Sequence, residues 1–421
     1  MLVPHKMGRA VAITGLGVAS AAGCDVATFW RRVSMGESAV RQTSSVEGQS
    51  PCTPYEAAVD DAALNVAAQL LAVRKADRVV RLATVACLQA WQDAGLPVPA
   101  GVTLGTRAGV ILGSGLGGIQ FQEEQMWRVI RAHENRLHPH TVPRISPTAL
   151  VTEVAQSLQL RGPGFVVSSA CASSAHALGQ ALRTIQCGDA DVVVAGGAEA
   201  PLTHFSKTAF SLLGVLAKSA GPAGAASKPF DENRDGFVLG EGAGALVLES
   251  LEHAQHRGAR IYGLLCGYGQ TLGAFHAVHA RPDGEDAAAA MTAALRDANV
   301  RGDQIDYVNA HGTATRENDV AEARAMHLVF GERADAVPVS SIKPVTGHAL
   351  GAAGALEAVA TVKALSEGIL PPNANLQNLD PACKLNVLTK PLANAKAAFA
   401  LSNSFGFGNV NVALLFGRNH P

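Results

Sequence analysis

Short apolar runs that end in turns of glycine or other small residues recur along the chain. They lie at residues 110–112, 165–167 and 192–194, and a longer, glycine-containing run lies at 10–20. Such runs predict the strands of a sheet that is covered on both faces. An amphipathic stretch from Arg74 to Asp93 predicts a long helix. The pattern therefore predicts an α/β fold with a covered sheet.

One of these strands leads through a turn of small residues into a helix that begins at Cys171 and ends near Cys187. Unpaired N–H groups and the positive dipole end of a helix start favour a thiolate. We therefore expect the pKa of Cys171 to lie below its free value of about 8.5. The alternative is a small buried apolar cysteine. The small neighbours from Ser168 to Ser173 leave room for a substrate and favour a nucleophile.

The cysteine segment has a second copy. Ser-Ser and His-Ala-Leu-Gly, which begin at Ser168 and His176, recur at one common offset, beginning at Ser340 and His348. The stretch that begins at Gly240 is echoed at nearly the same offset by the stretch that begins at Gly408. The chain is therefore predicted to contain two halves of one fold.

We place these halves at residues 1–256 and 257–421, because a new strand pattern begins near that point. In the register of the repeat, Lys343 takes the place of Cys171. Packing of the halves would bring two helix starts to a shared centre, one with a thiol and the other with an amine and an imidazole.

Composition narrows the functional classes. The chain has 421 residues, 48% hydrophobic and 16% charged, which is enough for more than one buried core. A net charge of −1 argues against a nucleic-acid partner, which needs a clustered basic excess. Seven cysteines without CxxC spacing indicate reduced thiols, and no early apolar run resembles a signal or membrane span. We expect a cytoplasmic protein that does not bind membranes.

No motif strongly indicates a metal. The histidines between His133 and His140 have no carboxylate at ligand spacing, and the acidic loop from Asp231 lacks the twelfth-position glutamate of a calcium loop. The turn from Gly113 to Gly118 fits a dinucleotide fingerprint, which leaves a nicotinamide dehydrogenase as an alternative.

Two histidines of the second half lie on glycine turns. His311 follows a predicted strand that ends at Asn309, at the edge where α/β sheets bind ligands, and His348 follows a glycine. Asp319 and Glu322 are predicted to form a capping box for the next helix.

A thiolate beside imidazoles suits proteolysis, thiol redox chemistry or acyl transfer. Redox chemistry needs a resolving cysteine, and Cys187 lies at the far end of the helix from Cys171. Proteolysis uses one histidine with an orienting Asn or Asp. Two histidines can instead donate two hydrogen bonds to one oxyanion, as a thioester enolate requires. That arrangement favours decarboxylative condensation.

Longer motifs over nearly the whole chain resemble those of the β-ketoacyl-[acyl-carrier-protein] synthases of the elongating I/II type. They are Ser169-Ala-Cys-Ala-Ser, Ala195-Gly-Gly-Ala-Glu, Arg234-Asp-Gly-Phe-Val, Asn309-Ala-His-Gly-Thr-Ala-Thr, Gly347-His-Ala-Leu-Gly and Ser402-Asn-Ser-Phe-Gly-Phe-Gly. The resemblance implies the duplicated α-β-α-β-α thiolase-like fold and no organic cofactor. It also implies a homodimer, or a heterodimer with a paralogous subunit.

The resemblance further implies decarboxylative Claisen condensation in fatty-acid or related polyketide or polyene synthesis. Cys171 would take an acyl group from a carrier-protein thioester, and its backbone N–H and that of Phe407 would bind the oxyanion. His311 and His348 would stabilise the enolate left when malonyl carrier protein loses CO₂. Lys343 would set the electrostatics around His348.

The other site residues come from the same resemblance. Thr313 and Thr315 match threonines that hydrogen-bond phosphopantetheine, Phe407 matches a gating ring and Glu357 matches a structural carboxylate. Leu116 matches the position that gates the acyl tunnel, and its bulk should narrow that tunnel.

The chain departs from the family pattern near the expected mouth of the site. The family usually continues Gly-Phe-Gly with Gly-Thr-Asn, whereas this chain has Asn409-Val-Asn, and Arg316 stands where proline is usual. The acidic acyl carrier protein is expected to dock on basic residues such as Arg74, Lys75 and Lys207.

Two further alternatives stay open. A degradative thiolase would need a second cysteine as base in the glycine-rich loop, and residues 402–411 contain none. A chain-length factor, which is an inactive partner subunit, would not need Cys171, so the retained thiol favours the enzyme.

Overall fold

The computed structural model describes residues 8–43, 53–73, 76–98, 100, 104–131 and 136–419. Its strands are β1 Val11–Ser20, β2 Arg41–Gln42, β3 Tyr55–Glu56, β4 Ala108–Gly113, β5 Gly164–Val167, β6 Val192–Glu199, β7 Gly242–Ser250, β8 Gly263–Leu272, β9 Tyr307–Asn309, β10 Pro338–Ser340, β11 Ile369–Leu370, β12 Asn386–Val387, β13 Leu392–Ala393, β14 Phe399–Gly406 and β15 Val410–Arg418. Its helices are α1 Val26–Met35, α2 Asp61–Leu70, α3 Arg78–Asp93, α4 Ile119–Ile130, α5 Thr141–Ile145, α6 Ala149–Leu158, α7 Ser173–Gln186, α8 His204–Leu212, α9 Leu251–His256, α10 Glu285–Ala298, α11 Arg316–Phe330, α12 Lys343–Thr346 and α13 Ala353–Glu367. Within the described part of the chain, no helix is long and apolar enough to cross a membrane.

Eleven strands form one sheet in which the same arrangement occurs twice. From its centre outward, one side runs β1-β7-β6-β4-β5 and the other runs β8-β15-β14-β9-β10, with β12 beyond. On each side the first two pairings are antiparallel and the next two are parallel. The equivalent strands β7 and β15 begin at Gly242 and Val410, which are related by the same offset as the echoed stretches in the sequence. We propose the boundary between residues 256 and 257 on this basis, because it falls between the last strand of one side and the first of the other.

The helices form three layers around the two sides of the sheet. α7 and α13 pack against each other and against strands from both sides, and so form the middle layer. α3 and α6 cover the outer face of the first side, while α10 and α11 cover that of the second. The predicted α-β-α-β-α arrangement is therefore confirmed.

This layering explains why the strands are apolar along their whole length. In β6, Val193 points into the middle core, whereas Val192 and Val194 point into the outer core. Successive side chains of a strand face opposite sides, so a sheet covered on both faces needs an apolar residue at every position.

The predicted equivalence of Lys343 and Cys171 holds to within one residue when counted from the preceding strands, because Cys171 is the fourth residue after β5 and Lys343 is the third after β10. It fails when counted from the helices that follow. The matched helices α7 and α13 begin at Ser173 and Ala353, and this offset is wider than the one that relates His176 to His348 in the sequence. The second half has a longer connection here, because the short helix α12 lies between β10 and α13. The longer connection carries both Lys343 and His348.

We predict that Gly179→Ala disrupts the contact between the two halves. A Cβ on Gly179 in α7 would lie 2.4 Å from ring atoms of Tyr268 in β8. Alanine favours helix over glycine by roughly 0.5–1 kcal/mol, but overpacking a core costs roughly 1–3 kcal/mol. We therefore expect a lower urea midpoint. Gly221→Ala, where no atom lies within 4 Å of the added Cβ, is the control, and equal midpoints for the two variants would contradict the prediction.

Candidate active site

Cys171 lies in a tight elbow between β5 and α7. The preceding residue, Ala170, has a left-handed φ of 51°. The Ser173 hydroxyl accepts a hydrogen bond from the Ser169 N–H at 2.9 Å and donates to the Ala170 carbonyl at 2.6 Å. The helix begins at Ser173, later than the predicted start at Cys171. The elbow therefore places the thiol just ahead of the helix start.

A second set of contacts supports the elbow from the other half. His176 in α7 hydrogen-bonds the Ser169 hydroxyl at 2.7 Å and the Gln270 side-chain oxygen at 2.7 Å. Because an amide oxygen only accepts, His176 donates from Nε2 and accepts from Ser169 at Nδ1. The histidine of the first sequence echo is thus structural, unlike its counterpart His348.

The cysteine opens into a cavity of about 390 Å³ that contains most of the predicted site. The predicted residues that line it are Cys171, His311, Thr313, Thr315, His348 and Phe407. Phe405 lines it too, with its ring centroid 5.8 Å from that of His311. One cavity therefore holds a nucleophile from the first half and two imidazoles from the second.

The two imidazoles are held by main-chain contacts from different segments. Their ring centroids lie 5.5 Å apart, with the ring planes at 82°. The His348 N–H donates to the Val238 carbonyl at 2.8 Å, and its own carbonyl accepts from the Gly240 N–H at 2.9 Å. The edge-to-face ring of Phe237 lies 4.9 Å from His348. These contacts fix His348 beside His311.

The Glu322 carboxylate, which was predicted to cap the following helix, instead holds the turn that carries His311. Glu322 accepts hydrogen bonds at 2.8 Å from the N–H groups of both His311 and Gly312. The predicted capping box of Asp319 and Glu322 is wrong, because the helix begins earlier, at Arg316. Asp319 instead accepts from the Phe230 N–H at 2.8 Å. Neither the contacts of Glu322 nor that of Asp319 could be predicted from helical periodicity, because they join the helix to residues outside it.

Lys343 and Glu357 form an ion pair at the base of the site, and each side chain is 1% exposed. The Lys343 ammonium also donates to the His311 carbonyl and lies 3.3 Å from His311 Nδ1. An ammonium has no acceptor, so Nδ1 must accept and the imidazole proton must be on Nε2. Lys343 therefore contacts His311 directly, and its charge also helps to lower the pKa of His348.

Burial sets the charge state of the cavity. It raises the pKa of the Cys171 thiol to about 12, against the opposing effect of the Lys343 charge. The predicted lowering is wrong, because loss of water around the sulfur outweighs the favourable charge. Burial, reinforced by the Lys343 charge, also holds the pKa values of His311 and His348 well below their usual range. At neutral pH the cavity therefore contains a thiol and two uncharged imidazoles.

Sequence reasoning also missed the role of Glu199, which joins two turns. Its buried carboxylate accepts from the Gly115 N–H at 2.6 Å, the Leu116 N–H at 3.0 Å and the Gly351 N–H at 3.2 Å. The turn after β4 therefore uses its N–H groups to bind a carboxylate of the protein. A dinucleotide would need those groups for its pyrophosphate, so the dehydrogenase alternative loses its support.

Four further predicted residues lie away from the cavity or outside the described residues. Leu116 is 37% exposed and does not line the cavity of Cys171. Lys207 forms an ion pair with Glu56, so it is not a free cation for a docking partner. Arg74 and Lys75 lie outside the described residues.

Family models and known relatives match this chain over nearly its whole length. Residues 8–254 match the family model described as β-ketoacyl synthase, N-terminal domain, and residues 262–377 match the model of its C-terminal domain. The 3-oxoacyl-[acyl-carrier-protein] synthase 2 of Coxiella burnetii is 37% identical over 410 residues, which are 97% of this chain and 99% of that protein. The synthase 2 of Vibrio harveyi is 37% identical over 413 residues, 97% and 98% of the two chains.

Solved structures agree with these sequence matches. A type II polyketide synthase ketosynthase, determined with its acyl-carrier protein and bound to a hexaketide, has a TM-score of 0.90 and 31% identity, covering 98% of this chain and 100% of that one. A β-ketoacyl synthase from Burkholderia phymatum has a TM-score of 0.88 and 32% identity, with the same coverage.

We predict a steep pH dependence for alkylation of Cys171. Because its raised pKa keeps the thiolate a minor species, the rate with iodoacetamide should rise about tenfold per pH unit up to about pH 10. Peptide mass spectrometry would follow Cys171 against exposed Cys187 as an internal reference. A rate for Cys171 that levels off below about pH 8.5, as for a free thiol, would contradict the raised pKa.

Proposed function

The chain belongs to the β-ketoacyl synthase family, and we propose that it catalyses decarboxylative Claisen condensation on acyl-carrier-protein thioesters. An acyl group held on Cys171 would be joined to malonyl carrier protein to give 3-oxoacyl carrier protein and CO₂, in fatty-acid or related polyketide synthesis. The observation that carries this proposal is the single cavity shared by a thiol and two uncharged imidazoles.

In the first step the acyl group moves from the carrier protein to Cys171. The sulfur attacks the thioester carbonyl, the bond from the acyl carbon to the pantetheine sulfur breaks, and the cysteine proton passes to the released pantetheine thiolate. The N–H groups of Cys171 and Phe407 would bind the transient oxyanion. Two observations support this role: the Phe407 N–H lies near enough to the Cys171 sulfur to lower the pKa of the thiol, and a Cβ on Gly406 would lie 3.2 Å from the Cys171 nitrogen.

In the second step malonyl carrier protein loses CO₂, and the electron pair of the broken C–C bond forms a thioester enolate. His311 Nε2–H, and His348 beside it, would donate to the enolate oxygen. The enolate carbon then attacks the acyl carbonyl, the bond from that carbon to the Cys171 sulfur breaks, and the released thiolate takes a proton from solvent water. Uncharged imidazoles suit this step, because they stabilise the developing charge by hydrogen bonding and keep their protons afterwards.

Lys343 and Glu357 would act through His311. Because the ammonium donates to Nδ1, the imidazole proton of His311 is on the other ring nitrogen, Nε2. Glu357 balances the buried positive charge. We assign both as positioning residues, because neither lines the cavity.

The carrier protein would deliver its substrates through the cavity mouth. Thr313 and Thr315 line the cavity with their hydroxyls 2.9 Å apart, and we assign them to hydrogen bonds with phosphopantetheine. The related ketosynthase structure with its acyl-carrier protein supports this partner. Leu116 is assigned to the acyl tunnel from the family resemblance alone.

We infer that the chain pairs with a second copy through the β5 side of the sheet. β5 is an edge strand with Phe165 41% exposed. On the same half of the chain, α4 exposes Trp127 and Ile130, and α8 exposes Phe205, around one shared pocket. Contiguous apolar surface of this kind marks an interface. Other ketosynthases form complexes with a chain-length factor, so a paralogous subunit is the alternative occupant.

The proposed location is the cytoplasm. The six cysteines of the described part of the chain are all free thiols. Free thiols suit a reducing compartment, where the carrier-protein substrates of this reaction would also have to be present.

We predict that acyl transfer and condensation can be separated by mutation. Cys171→Ala should lose both. His348→Asn should still take one acyl group on Cys171 from acyl carrier protein but should condense about 10²–10³-fold more slowly, because one oxyanion donor is lost. Intact-protein mass and product chromatography would measure the two steps. His256→Asn on exposed α9 is the control, and absence of any acyl adduct on the unaltered chain would rule out the proposed function.

We predict that Ile130→Asp on α4 breaks the assembly, because burying an unpaired carboxylate at an apolar interface is costly. Sedimentation velocity should find a dimer for the unaltered chain and a monomer for the variant. Val66→Asp, at an exposed apolar residue of α2, should leave the dimer intact. If the unaltered chain is monomeric alone and pairs only with a paralogous subunit, the second-copy inference is wrong.

A further inference from the structure

Asn409 occupies a conformation that few side chains adopt. It follows Phe407 and Gly408 and has a left-handed φ of 56°. Asparagine is one of the few residues other than glycine that adopt this region readily. Asn409 is also 5% exposed, so its amide needs partners within the protein.

Three main-chain groups of one distant loop satisfy that amide completely. Its nitrogen donates to the carbonyls of His276 and His279 at 3.0 and 3.1 Å. Its oxygen accepts from the Arg281 N–H at 3.2 Å. Two donors and one acceptor are thus matched to two carbonyls and one N–H, which fixes the orientation of the amide. We call the loop from His276 to Arg281 the mouth loop.

The backbone of Asn409 is held at the same place. Its carbonyl accepts from the Gly273 N–H at 2.9 Å and from the Asn411 side chain at 2.9 Å. Gly273 has to be glycine here, because a Cβ would lie 2.9 Å from the Asn409 Cβ and 2.2 Å from Asp286 Oδ2. The missing side chain at 273 therefore makes room for the asparagine.

The two segments that Asn409 joins both form parts of the cavity wall. Phe407 and Gly406 line it on one side, and Val278, His279 and Ala280 of the mouth loop line it on another. The mouth loop is tied in turn to the start of α11, because His279 Nδ1 lies 2.7 Å from the Glu317 carboxylate.

We propose that Asn409 is a positioning residue that locks the Phe407 segment to the mouth loop, so that the Phe407 N–H stays beside Cys171 and the two parts of the wall open together. This inference rests on the proposed function, since it assigns the Phe407 N–H to acyl transfer. It concerns a residue at which the sequence departs from the pattern of the family that it resembles.

The test compares Asn409→Gly with Asn394→Gly. Glycine accepts a left-handed φ without strain, so the first variant removes the amide and leaves the turn possible. Asn394 has nearly the same φ, 57°, and is exposed, which makes it a matched control. Hydrogen exchange read by mass spectrometry would follow the mouth loop, including the Arg281 amide, which donates directly to Asn409.

In Asn409→Gly, exchange should speed up about tenfold in both the mouth loop and residues 406–411, because a buried three-bond contact is lost. Acylation of Cys171 should slow about tenfold. This is less than the ~10²–10³-fold loss expected when an oxyanion donor is removed, because the Phe407 N–H is displaced but still present. Asn394→Gly should leave both rates within about twofold of the unaltered chain. Gly273→Ala should reproduce the exchange result by displacing Asn409 from the opposite side.

Unchanged exchange in the mouth loop of a folded Asn409→Gly variant would overturn the inference. So would faster exchange accompanied by an unaltered acylation rate, because the contact would then be only structural. Failure of the proposed function can be distinguished from failure of this inference. In the first case the unaltered chain would take no acyl group, while the exchange comparison would still report on the contact of Asn409 with the mouth loop.

Discussion

The site depends on one positive charge buried where the two halves meet. Taking Lys343 and Glu357 out of water costs roughly several kcal/mol per ion, and the pair with its hydrogen bonds offsets that cost only when the geometry is good. Such a pair adds little to net stability. Its effect is directional: the ammonium determines which nitrogen of His311 carries the proton, and its charge disfavours protonation of both imidazoles.

Exclusion of water has a second consequence, for the nucleophile. The same burial that keeps the imidazoles uncharged keeps the Cys171 thiol protonated. The thiol and the two imidazoles are therefore uncharged at rest, and the buried charge beside them belongs to the compensated pair. Charge develops only during reaction, at positions where N–H donors already point. This is how fixed dipoles in a dry cavity lower a barrier without reorganising.

The two halves share a fold but contribute different chemistry through one connection. In the first half, the link from β5 to α7 is a tight elbow that presents a thiol. In the second, the link from β10 to α13 is longer and contains α12, which carries Lys343, and then His348. Extra chain in one copy thus converts a symmetric scaffold into an asymmetric site. Buried carboxylates then hold the turns around it, Glu199 on one side and Glu322 on the other.

Periodicity and motifs are local properties, so the sequence was enough to predict the apolar strands, the helix behind Cys171, the duplication and the residue types of the site. It did not determine the length difference between the two connections, so the helix start at Lys343 belongs to the short helix α12 and not to α13, the match of α7. Three features became visible only in the folded protein: the direction of the Cys171 pKa shift, the contact of Lys343 with His311, and the hydrogen bonds of Asn409 to the mouth loop. The physical reason is that desolvation and hydrogen bonding between distant segments depend on which surfaces pack together, and no local pattern encodes that.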